Sequence, residues 1–119
     1  MSPLVFLLAA ACGGVGAATR YLVDIGIGRL LGTRFPWGVL VINVTGSFAL
    51  GLVLGMLPGA AFVVGAGFLG GYTTFSTAMI DTVALWRDGA RRASALNAVG
   101  MLVVAIAAAA GGLALGAAL

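Results

Sequence analysis

Residues 65–78 read Gly65-Ala66-Gly67-Phe68-Leu69-Gly70-Gly71-Tyr72-Thr73-Thr74-Phe75-Ser76-Thr77-Ala78. They fall in the middle of an apolar run that starts after Pro58-Gly59 and ends near Trp86. An apolar centre is the cheapest one for a helix that crosses a bilayer. Here a Gly-Gly step is followed by a run of hydroxyl residues around Phe75, and Gly and Thr both disfavour helix. The stretch predicts a spanning helix broken at membrane depth. Such a break frees backbone N–H and C=O groups, and is tolerated only where protein buries it or where it lines a cavity. Broken helices in transport proteins form ion sites, with carbonyls facing cations and N–H groups facing anions. The plain alternative is an unbroken helix whose hydroxyls bond the carbonyl four residues back. The density of the run favours the break.

The rest of the chain fits the same setting. Of 119 residues 62% are hydrophobic and 8% charged, against about a quarter charged in soluble domains. Mean hydropathy is +1.21. Too few polar residues exist to cover a water-soluble globule, which excludes a soluble enzyme or a disordered tail. Four apolar runs are expected to span the membrane, at about 3–23, 37–57, 60–86 and 93–118, as a single transmembrane domain. Pro36 and Pro58 mark two boundaries. Glycines in the runs, such as Gly16, Gly46, Gly51 and Gly112, suit helices whose backbones approach closely.

The charges are six Arg and three Asp, with no Lys, Glu or His. Without His or Glu the commonest general bases are missing, and a His-based metal site or Ser-His-Asp triad cannot be built. No enzyme is expected. Cys12 is alone, so no internal disulfide forms. The net charge of +3 makes no nucleic-acid patch when six Arg are scattered among apolar runs. With four spans, Arg20, Arg29 and Arg34 on one side of the topology join Arg87, Arg91 and Arg92, leaving none on the other. The positive-inside rule then places both Arg loops in the cytoplasm and both termini outside.

The candidate site gathers around Phe75. Asn43, in Val41-Ile42-Asn43-Val44-Thr45-Gly46-Ser47, is the other polar residue at depth. Its amide needs a partner there, either another helix or an ion. Thr45 and Ser47 read as helix–helix contacts. Hydroxyls, amide N–H groups and the positive edge of an aromatic ring together suit a small anion. No Lys or Arg stands mid-span in the last three runs to trap it, and conduction needs weak binding. Arg20 is a candidate for drawing anions to a vestibule, or an orientation charge snorkelling to the interface.

These residues resemble the Fluc (CrcB) fluoride channels over nearly the whole chain. The resemblance rests on Gly13-Gly14-Val15-Gly16-Ala17 with Arg20-Tyr21, on Asn43 with Gly46-Ser47-Phe48, and above all on Gly70 to Thr77. It implies four transmembrane helices, the third broken, in an antiparallel dimer in the cell membrane that exports fluoride passively. It assigns Asn43, Phe75, Ser76 and Thr77 to the fluoride pathway. It also assigns a structural sodium ion at the dimer centre to the backbone carbonyls of Gly70 and Thr73.

Two departures stand out. The family's second pore Phe falls at Ala78, and the fourth span carries little beyond Asn97 where the family has a Tyr and a hydroxyl track. An antiparallel homodimer needs a chain that inserts both ways, whereas six Arg to none favours one orientation. The chain is therefore expected to be half of a pair with a paralogous subunit of opposite orientation, the homodimer being the other assembly. Two further readings compete. One is a non-conducting accessory subunit. The other is a small proton-coupled multidrug exporter, for which Asp81 is the sole carboxylate available in a span.

Overall fold

The computed structural model describes residues 2–119, and among them there is no strand. Four helical spans, Pro3–Leu31, Trp37–Met56, Pro58–Arg87 and Arg91–Ala118, are each long and apolar enough to cross a membrane. The chain is an all-helical, multi-pass membrane protein.

The first span opens on a local cap. The Ser2 hydroxyl accepts from the Val5 N–H at 3.2 Å, and Pro3 takes the first helical position, where its missing N–H costs nothing. Expected to stop near Val23, this helix runs on through Asp24 to Leu31. No Pro intervenes between Val23 and Leu31. Twenty-nine residues rise about 44 Å at 1.5 Å each, more than the roughly 30 Å apolar slab. The helix ends at Gly32, whose φ of 81° closes the turn with its N–H on the Gly28 carbonyl. At the other connection on this end Gly89, with φ of 83°, reverses the chain between the third and fourth spans. There the Arg91 guanidinium lies 4.7 Å over the Trp86 ring.

The spans meet backbone to backbone. Between the second and fourth, a Cβ placed on Gly112 would overlap the Phe48 carbonyl, and one on Gly51 the Ala109 carbonyl. Between the first and third, Gly16 leaves the same room for the Phe68 carbonyl. Small residues allow this approach, which recovers dispersion where no hydrophobic force between helices operates. Little else is buried. Val39, Ala78 and Met101 form a small core with Leu40 and Met79 against it. Phe6 and Ile106, both more than 60% exposed, face outward, as side chains in contact with lipid do.

The third span changes neighbours along its length. Its first half packs on the first span, its second half on the fourth. The switch coincides with the break.

Candidate functional site

The third span is built in pieces. One 3-10 turn at Pro58–Ala60 leads into wide π turns over Ala61–Leu69, then a last helical turn at Gly70–Tyr72. At Thr73 the backbone becomes extended, with φ −80° and ψ 157°. Helix resumes at Ser76 and continues to Arg87. The break that the Gly-Gly-Tyr-Thr-Thr composition implies is present, directly after Tyr72.

Side chains satisfy the freed backbone. Asn43 on the second span donates from Nδ2 to the Thr74 carbonyl at 2.7 Å and accepts the Thr74 N–H on Oδ1 at 2.9 Å. Its amide does what a neighbouring peptide group would do. Thr74 Oγ1 accepts the Thr77 N–H at 3.3 Å, capping the second half as a Ser or Thr caps any helix. Thr73 closes the first half, with both its N–H and its hydroxyl on the Leu69 carbonyl at 2.9 Å.

This pairing has a consequence for two carbonyls. In a continuous helix Gly70 would receive the N–H of Thr74, and Thr73 the N–H of Thr77. Both donors are diverted, one to Asn43 and the other to the Thr74 hydroxyl. The carbonyl oxygens of Gly70 and Thr73 thus lose their regular helical partners.

The second span is cut to receive the break. A Cβ on Gly46 would overlap the Thr73 methyl and press on the Tyr72 ring. One residue away, Thr45 Oγ1 lies 3.0 Å from the Tyr72 hydroxyl, a helix–helix contact of the kind expected of Thr45. Around these residues runs an open groove of about 840 Å³. Asn43, Gly70, Thr73 and Phe75 line it together. Phe75 is 77% exposed, so nothing within the subunit covers its ring.

The other expected site residues lie differently. Ser76 is exposed, and Thr77 is half-buried with its Oγ1 receiving the Thr74 hydroxyl at 3.1 Å; neither lines the groove. Arg20 is half-buried on the first span, with its Nε buried and unpartnered, and does not line this groove either. Ala78, where the resemblance expects a second Phe, is 2% exposed beneath Val39 and Met101.

Sequence reasoning missed a second polar seam. Asn97, 1% exposed, donates to the Ala78 carbonyl at 3.2 Å and to Thr82 Oγ1 at 2.9 Å. Ser94 donates to the Thr82 carbonyl at 2.7 Å. Met101, one helical turn beyond Asn97, brings its sulfur to 3.3 Å from Asn43 Nδ2. Spacings of three and four residues along 94, 97 and 101 were the available signal, hidden because Met reads as apolar packing.

Among the described residues no three His, Cys, Asp or Glu side chains converge to hold a metal.

The family described as "CrcB-like protein, Camphor Resistance (CrcB)" matches residues 7–113. The chain is 46% identical to a "Fluoride-specific ion channel FluC" of Nitrobacter winogradskyi, over 87% of this chain and 88% of that one. It is 45% identical to "Fluoride-specific ion channel FluC 1" of Leifsonia xyli subsp. xyli, over 98% and 89%. A "Fluoride-specific ion channel FluC" of Agrobacterium fabrum shares 43%, over 92% and 93%.

Proposed function

This chain belongs to the CrcB-like family, and on that footing we propose that it is a subunit of a fluoride-selective channel. The channel exports fluoride passively and lowers its concentration in the cytoplasm. It makes and breaks no covalent bond and is not an enzyme. The observation that carries the reading is the third-span break, pinned by Asn43 and opening on a groove that presents the Phe75 ring.

The chemistry of that groove suits a small, strongly hydrated anion. The ring edge of Phe75 offers weak positive potential, and hydroxyl and amide donors stand near it. No formal charge lines the groove, so an anion is held loosely enough to leave. The exposed Phe75 needs a facing surface, and a second subunit supplies it. Five of the six Arg residues, Arg29, Arg34, Arg87, Arg91 and Arg92, stand at helix ends or in the connections on one side of the topology, which favours a single orientation, termini outside the cell membrane. The subunit facing Phe75 in antiparallel array is then a paralogous chain of the opposite bias.

Sodium fits the same break. The Gly70 and Thr73 carbonyls, deprived of their helical donors, are hard oxygen ligands of the kind that unwound spans offer to Na⁺. Two subunits would bring two such pairs of oxygens to the dimer centre, and the ion's role is to join them.

Liposome efflux tests the reading. The chain is reconstituted alone and together with a CrcB-family subunit of opposite charge bias. Rapid fluoride efflux with negligible chloride efflux is expected from the pair, and the absence of selective fluoride efflux in both preparations overturns the channel. Efflux from the chain alone would show that the homodimer conducts. Replacing sodium with a large organic cation is expected to abolish efflux and dissociate the dimer on size exclusion. An unchanged dimer and rate would remove sodium from the picture.

A further inference from the structure

Two grooves approach each other inside this subunit. One surrounds the break, and the other, of about 430 Å³, runs from Phe35 and Trp37 at the Arg-loop end past Asn97 to Val104. Among the described residues Met101 alone lines both. Its side chain is 5% exposed and packs on Val39 and Ala78. It fills the space where the small Ala78 leaves room.

Met101 also holds the Asn43 donor that the pairing with Thr74 leaves over. Asn43 has two amide hydrogens and one carbonyl oxygen. The oxygen and one hydrogen are fixed to Thr74. The remaining hydrogen points at the Met101 sulfur, 3.3 Å from Nδ2. A thioether is a weak acceptor on an unbranched, adaptable side chain. Fluoride is a far stronger acceptor. Swinging Met101 aside therefore does two things at once: it joins the grooves, and it frees the Asn43 N–H for the arriving anion.

We propose that Met101 gates the fluoride path, its thioether closing the joint between the two grooves and occupying the free Asn43 donor until an anion replaces it. This rests on the channel reading above. Asn43 is then a positioning residue for the break and, through its second hydrogen, a transient ligand.

Two variants test the gate against the parent protein in the pair that conducts. Met101→Ala is expected to raise fluoride efflux about fivefold, the scale of one lost neutral hydrogen bond, and to lower the fluoride-over-chloride ratio. Parental rate and ratio in folded Met101→Ala overturn the proposal. Should that variant fail to fold, the double variant Cys12→Ala/Met101→Cys decides. A small methanethiosulfonate reagent is expected to modify the thiol introduced at position 101, read by mass and so apart from any flux, and the modification is expected to block efflux. An unreactive thiol there, or modification that leaves the rate unchanged, overturns the gate. Absence of fluoride efflux from the parent protein both alone and in the pair would instead overturn the channel reading, while the accessibility of the introduced thiol still reports whether the joint opens.

Discussion

Asn43 pins the break of the third span to the second span. Both ends of its amide are spent on Thr74. Asn43→Ala leaves an N–H and a C=O unpaired at membrane depth, each costing about 1–3 kcal/mol. A lower Tm in detergent and at least about a tenfold loss of efflux are expected. Asn43→Asp keeps the acceptor but sets a carboxylate against the Thr74 carbonyl, and should be no better. Ala78 makes the opposite prediction. Phe at this position must enter a site 2% exposed between Val39 and Met101, and overpacking of this kind costs about 1–3 kcal/mol. Ala78→Phe is thus expected to lower Tm without raising efflux from the chain alone. A gain of efflux in the homodimer would argue against the paralogous pair. The importance of Asn43 was legible in the sequence, because an amide amid Val and Ile needs a partner. Its partner was not, because a backbone group across two spans leaves no mark in side-chain type. Met101 was illegible for a related reason: a weak acceptor looks like any other apolar residue until geometry puts it beside a donor.

At the scale of elements, composition revealed the spans and the break. Gly70-Gly71 with the Thr pair announced where the third helix fails, and Pro36 and Pro58 bounded its neighbours. The length of the first helix was less visible. Its end depends on one glycine at positive φ, Gly32, rather than on where apolarity stops. The glycine seams give a prediction here. Gly112→Ala puts a methyl into the Phe48 carbonyl, and the second and fourth spans must part to admit it. A loss of about 1–3 kcal/mol is expected, seen as early aggregation on heating. Gly111→Ala, with nothing within 4 Å of its Cβ, should be silent and serves as the control.

At the scale of the whole molecule the proposed orientation rests on the arginines. A reporter fused to the C-terminus is expected to signal an outside location. Replacing Arg87, Arg91 and Arg92 with Gln should split the population between two orientations, since loop Lys and Arg counts set topology. A C-terminus that stays wholly inside in the parent would reverse the assignment. The divided third span has a last consequence, for biogenesis. It is the least apolar of the four, and its broken centre is solvated by a side chain synthesised 31 residues before Thr74. The nascent chain must therefore keep its second segment beside the translocon's lateral exit until Thr74 arrives. Membrane entry of the third segment is then a joint event, in which Asn43 acts as an internal chaperone for a sequence that hydropathy alone would admit reluctantly.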